Sequence, residues 1–196
     1  NNANFFKKTI SSNTDFFDCL KDIDVIIHAA ARVHQMNDRS KDPLSAFMEV
    51  NCHGTINLAK QAAIAGVKRF IFISSIKVNG EKTEPGIPFR FDDIPSTLDP
   101  YGVSKYKAEI GLQKIAQDTE LDIVIIRPPL VYGPGVKANF QSLMSISQRN
   151  LPLPLGAVKN KRGFVAINNL VDLIITCIDH PNAPNNIFLV SDDSDI

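Results

Sequence analysis

The chain has 196 residues, with 21 Lys and Arg against 21 Asp and Glu, so its formal net charge is zero. At 44% hydrophobic and 21% charged residues, it has the composition of an ordinary globular domain, long enough to bury a core without disulfide staples. That balance argues against a global nucleic-acid or anionic-membrane binder, and no apolar run of about 18 residues offers a transmembrane span.

The opening stretch, NNANFFKKTISSN, lacks the cationic and apolar regions of a signal peptide. It has no initiator Met, so a processed or incomplete chain is expected. Residues 5–10 are expected as a short strand. DVIIH over 24–28 is a β-branched run, and FIFI over 70–73 and IVII over 123–126 are two more. Continuous apolar runs of this kind suit parallel strands covered on both faces. FVAI over 164–167 and IFLV over 187–190 read as later strands. Between these runs lie helix patterns. Asp42 and Pro43 fit an N-cap and first turn, and Gly66 fits the stop of a helix through Leu44, Phe47, Val50, Leu58 and Ala62. Further helices are expected over 101–118, 139–148 and 168–180. The alternation predicts an α/β fold with right-handed crossovers and a doubly wound, Rossmann-like parallel sheet. Ligands of such sheets bind beyond the carboxyl ends of the strands.

Cys19, Cys52 and Cys177 are odd in number and widely spaced, and no CxxC or Cys/His cluster exists. Reduced thiols in a cytoplasmic protein are expected, with no metal site.

Three strand ends carry candidate chemistry. Ala29, Ala30 and Ala31 follow the first strong strand, where small side chains let a flat ligand approach the backbone or merely pack on a helix. Ser74 and Ser75 follow the second, and could bind a substrate oxygen or cap a turn. Tyr101 and Lys105 open the next helix on one face. A neighbouring ammonium is expected to lower the Tyr101 pKa toward neutrality and make it an acid/base group, although YxxxK alone also describes a solvated helix start.

The order of these features is more specific than any one of them. With DVIIHAAA, FMEVNCHGTINLAKQA, FIFISSIKVNG, YGVSK, IIRPPLVYGPG and NKRGFVAINNLVDLI in sequence, the chain resembles the extended short-chain dehydrogenase/reductase family. The likeness runs from about residue 24 to 196 and lies within the nucleotide-sugar epimerase/dehydratase branch, nearest UDP-glucose 4-epimerase-like and UDP-N-acetylhexosamine 4-epimerase or 4-keto-reductase proteins. The resemblance implies that Tyr101 removes the sugar 4-hydroxyl proton. It implies that Lys105 binds the nicotinamide ribose and that Ser75 bonds the 4-oxygen, with Ser74 the weaker candidate. Ala29, Ala30, Asn51, Ile73, Pro128 and Val131 would line an NAD site, with NADP as an alternative. Asn139, Leu153, Leu155 and Arg162 would contact the nucleotide of a UDP-sugar. Lys77 stands in the turn that faces the sugar in relatives, where VNG replaces the usual VYG. Homodimerisation through the helices spanning 43–65 and 101–118 is implied by the resemblance alone, and so is a role in supplying sugars for surface polysaccharide.

Between residues 123 and 171 there are six basic residues and no acid. That cationic half suits a diphosphate, or is an ordinary basic surface. The resemblance divides the chain into an incomplete dinucleotide-binding region, 1–135, and a partial substrate region, 136–196. The family's opening strand and GxxGxxG turn are absent from the sequence. Gly133 to Ala138 formally matches GxGxxA, but Pro134 has no N–H for a phosphate and no acid follows at about 20 positions, so it reads as a substrate-side turn. The strand near Val25 is then expected to present an open edge, and the chain to bind NAD weakly. The first reading is an NAD-dependent UDP-sugar 4-epimerase. A 4-keto-reductase or dehydrogenase with the same Ser/Tyr/Lys set, and a non-catalytic fragment, are the alternatives.

Overall fold

The computed structural model describes residues 3–33, 42–84, 86–135 and 162–192. The expected helix over 139–148 lies outside them. In chain order the elements are α1 (Phe17–Leu20), β1 (Val25–His28), α2 (Pro43–Phe47), a π-helical stretch (Met48–Gly54), α3 (Thr55–Ile64) and β2 (Arg69–Ile73). A 3-10 turn (Ile76–Val78), α4 (Pro100–Asp118), β3 (Asp122–Arg127), β4 (Leu130–Tyr132), β5 (Phe164–Ala166), α5 (Ile167–Asp179) and β6 (Ile187–Leu189) complete them.

Strands β1, β2, β3 and β6 form one parallel sheet in that spatial order, and β4 and β5 form a separate parallel pair. The apolar runs are continuous because both faces of the sheet are covered. Phe70, Phe72, Ile123 and Ile125 point toward Leu58, Ala62, Ala108 and Leu112 of α3 and α4. Ile71, Val124 and Ile126 point the other way, toward Leu170 and Cys177 of α5. Alternation with period two thus divides one run between two cores. Gly111 sets the spacing of α4 on α3, since a Cβ there would lie 2.7 Å from Ile56 Cγ1. Arg69 joins the far end of the sheet to α5 by donating to the carbonyls of Cys177 and Ile178 at 3.0 and 2.9 Å, which satisfies the last turn of that helix.

The predicted caps form. Asp42 accepts from the Ser45 N–H at 3.1 Å ahead of Pro43, and Gly66 leaves the helix at φ +80°. Between them the path is not uniformly α-helical, because the π-helical stretch widens it around Asn51. Residues 5–10 form no strand, which corrects that expectation. This segment continues along the helices, where Asn57 donates to the carbonyls of Ser11 and Thr14 at 3.1 and 2.8 Å and Gln61 Nε2 donates to that of Thr14 at 2.8 Å. β1 pairs on one side only among the described residues, and Ile27 is 46% exposed along that edge.

Candidate active site

The carboxyl ends of β1, β2 and β3 and the first turn of α4 meet at one end of the sheet. Beyond β1, Ala29 and Ala30 are exposed and carry no bulk. The turn they begin is gripped from the π-helical stretch. Asn51 accepts from the Arg32 N–H at 2.8 Å and donates to the Arg32 carbonyl at 3.0 Å. It also donates to Ser104 Oγ at 3.0 Å, and Ser104 donates to the Tyr101 carbonyl at 2.7 Å. A buried relay therefore joins the turn after β1 to the start of α4.

Beyond β2 the two serines differ. Ser74 is buried and donates to a Glu109 carboxylate oxygen. Ser75 caps the 3-10 turn by accepting from the Lys77 N–H at 3.2 Å, and is half-buried. α4 starts against this turn because position 102 is glycine, where a Cβ would lie 3.0 Å from the Lys77 carbonyl. Asp99 caps α4 through the Gly102 N–H at 3.4 Å. The Lys77 ammonium stands beside Glu81 and Asp99, at 3.0 and 3.4 Å.

Lys105 is 1% exposed. Its ammonium donates to the Ile73 carbonyl at 2.8 Å and lies 4.5 Å from the Phe72 ring centroid and 6.0 Å from that of Tyr101. Burial lowers its pKa to about 8, against the opposing charge of Glu109. The sequence led to the expectation that Lys105 would pull the Tyr101 pKa down. Here it is raised above the ordinary phenol value, by burial first and then by the negative charge of Asp99. The reason is placement, since Lys105 faces Ile73 and Phe72, while Asp99 sits at the head of the same helix. The Tyr101 ring packs edge-on to Phe47 at 6.1 Å.

Pro128 is buried beyond β3 and its carbonyl accepts from the Ile76 N–H at 3.0 Å. Ile73 and Val131 pack against the α5-side core. Arg162 is exposed, while Asn139, Leu153 and Leu155 lie outside the described residues. One of the six basic residues counted toward a diphosphate site is corrected. Arg127 is 3% exposed and its guanidinium forks onto Glu109, with Nη2 to Oε2 at 2.7 Å and Nε to Oε1 at 3.1 Å. It contributes no surface charge.

Sequence reasoning also missed Glu109 and Asn79, which accepts from Arg127 Nη1 at 3.0 Å. It missed His28, buried in a bond with Thr55 Oγ1 at 2.9 Å, and Asp192, which accepts from Tyr132, Asn169 and the Ala166 N–H at 2.8, 2.7 and 2.9 Å. An acid on α4 at helical spacing from Lys105 was the available signal for Glu109. Among the described residues no cluster could hold a metal ion, and no helix is long and apolar enough to cross a membrane.

Comparison with known proteins bears on the family and the fold. A model described as NAD dependent epimerase/dehydratase family matches residues 1–191. A UDP-glucose 4-epimerase of Vibrio cholerae is 56% identical over 188 residues, covering 95% of this chain and 57% of that protein. The fold resembles MoeE5 in complex with UDP-glucuronic acid and NAD, with TM-score 0.80, 25% identity, and coverage of 97% of this chain and 64% of that one. It resembles equally a UDP-glucuronic acid 4-epimerase from Bacillus cereus in complex with UDP-glucuronic acid and NAD, with TM-score 0.80, 26% identity, and coverage of 94% and 59%. The chain thus spans about six-tenths of the length of these relatives.

Proposed function

The chain belongs to the NAD-dependent epimerase/dehydratase family, and on that premise we propose that it carries the acid/base centre of a UDP-sugar 4-epimerase working through a transient 4-keto sugar. What supports this reading is that Ser75 follows β2 while α4, abutting the same turn at Gly102, brings Lys105 to the Ile73 carbonyl and within 6.0 Å of the Tyr101 ring centroid.

The residues present suit NAD. Ala29 and Ala30 leave the turn after β1 open, Asn51 fixes its backbone, and Lys105 spends one of its three donors on Ile73. NAD, when bound, supplies a hydride acceptor that also returns the hydride, together with a positive ring charge. Tyr101 exchanges the proton of the sugar 4-oxygen at its hydroxyl. Ser75 orients that oxygen by hydrogen bonding. Lys105 places its charge behind Tyr101 and favours the phenolate once it turns from Ile73 toward the ring it already borders. Lys77 meets the sugar side and Arg162 the nucleotide side, for which the other candidates, Asn139, Leu153 and Leu155, lie outside the described residues.

A homodimer through α3 and α4 fits the same reading, because Ile64 and Ile110 are 75% and 42% exposed on them. Three free thiols support a reducing, cytoplasmic setting. The division into a dinucleotide region, 1–135, and a substrate region, 136–196, belongs to this proposal too.

The test is a chimera in which this chain replaces the matching residues of the Vibrio cholerae relative. It should interconvert UDP-glucose and its 4-epimer with no net change in NAD(P)H. Net consumption of reduced cofactor would favour the 4-keto-reductase reading instead.

A further inference from the structure

Glu109 is no part of the acid/base set, yet it is 2% exposed and its carboxylate bonds residues at the ends of two strands. Residues 101, 105 and 109 follow one another at helical spacing along one face of α4. The Glu109 carboxylate accepts from Ser74 at the end of β2 and takes the bidentate fork of Arg127 at the end of β3. Arg127 in turn donates to Asn79, just after the 3-10 turn, at 3.0 Å and to the Phe91 carbonyl at 3.3 Å. A buried ion pair is a weak source of stability, because desolvation offsets much of the Coulombic gain, so its placement within the site carries the interpretation.

We propose that Glu109 is a positioning residue that ties α4 to the ends of β2 and β3 and so holds its carboxylate one helical turn from Lys105. Its purpose rests on the epimerase reading, but its content does not depend on turnover. Through Ser74 it holds the neighbour of Ser75. Through Arg127 it holds the β3 end, where Pro128 lies. Lys105 feels two named influences, burial disfavouring the ammonium and Glu109 favouring it. Arg127 bonds the same carboxylate, so its positive charge opposes that of Glu109 at Lys105.

The experiment is an NMR titration of the Lys105 side chain in this 196-residue chain, assigned with Lys105→Arg. The unsubstituted chain should titrate near 8. Glu109→Gln should titrate lower, because burial then acts unopposed. A merely structural anchor gives the opposite sign, since a loosened α4 hydrates Lys105 and its midpoint climbs toward that of an ordinary lysine. Because Glu109→Gln leaves Arg127 buried alone, Glu109→Gln with Arg127→Gln guards against loss of the fold and should show a smaller downward move, since an opposing positive charge goes with it. An unchanged or raised midpoint overturns the proposal. Failure of both variants to fold overturns it as well, by assigning the network to folding. None of these outcomes depends on whether the protein is an epimerase, so failure here is distinct from failure of the chimera.

Discussion

Asn51 holds Arg32 by both of its backbone polar groups, accepting at 2.8 Å and donating at 3.0 Å, from inside a helix that widens to a π turn around it. Asn51 is 1% exposed, so these bonds have no water to replace them. Asn51→Ala strands the Arg32 backbone groups and removes a donor to Ser104, and should cost about 2–4 kcal/mol of folding stability. Urea unfolding of the two chains measures this directly, and a loss under about 0.5 kcal/mol, the size of a surface effect, would contradict the relay.

His28 gives the fold a pH dependence. It is 4% exposed, bonds Thr55, and has its pKa lowered to about 4, by burial first and then by the charge of Lys105. The unfolded chain takes up this proton as the pH falls through about 6.5, while the folded chain resists until about 4. Stability therefore falls between those values, by an amount on the order of 3 kcal/mol. Urea midpoints at pH 7, 5.5 and 4.5 should decline, and His28→Gln should flatten the decline. Equal slopes in both chains would remove His28 as the cause.

Lys105 adds a pH dependence of the same sign, in a higher pH window. Its folded pKa of about 8 lies below the usual lysine value, so at pH 7 the native chain carries the full cost of a buried ammonium. That cost is relieved as the pH rises from about 8 to about 10.4, where the unfolded chain still holds its proton. Lys105→Met should accordingly be more stable than the parent at pH 7, offset in part by the lost bond to Ile73, and should lose the advantage by pH 10. Thermal unfolding at the two pH values shows it. A variant less stable at pH 7 would mean that the bond and the Phe72 contact outweigh desolvation.

Isothermal calorimetry addresses the cofactor. The sequence contains no GxxGxxG turn, and in this fold class such a turn and the N-terminus of the helix after it cradle the pyrophosphate. The 196-residue chain should bind NAD weakly, while the chimera that supplies such a turn should bind it at least tenfold more tightly. Tight binding by the chain alone would show that the residues after β1 suffice.

What could be read from the sequence divides along physical lines. The strands at 25–28, 69–73 and 122–127 were legible because each is apolar on two faces, and the caps at Asp42 and Gly66 because they are local chemistry. β4 was not, since three residues after two prolines carry no period. Residues 5–10 have a strand-like composition but pair with no strand, and composition cannot supply a partner. The positions of Ser75, Tyr101 and Lys105 followed from motif order. The direction of the Tyr101 shift did not, because it depends on where the Lys105 ammonium points and on Asp99, neither of which spacing determines. Arg127 was counted as surface charge for a related reason, since its partner lies 18 residues away on another element.

The central claim concerns Tyr101, and the most direct measurement is turnover of the chimera carrying Tyr101→Phe. Ser75, Lys105 and the Glu109 network stay in place in that variant, and only the phenolic oxygen is gone. The account predicts a fall in kcat of about 10²–10⁴-fold, the usual worth of a positioned acid/base group, with circular dichroism and UDP-sugar affinity unchanged. Retained turnover would contradict it.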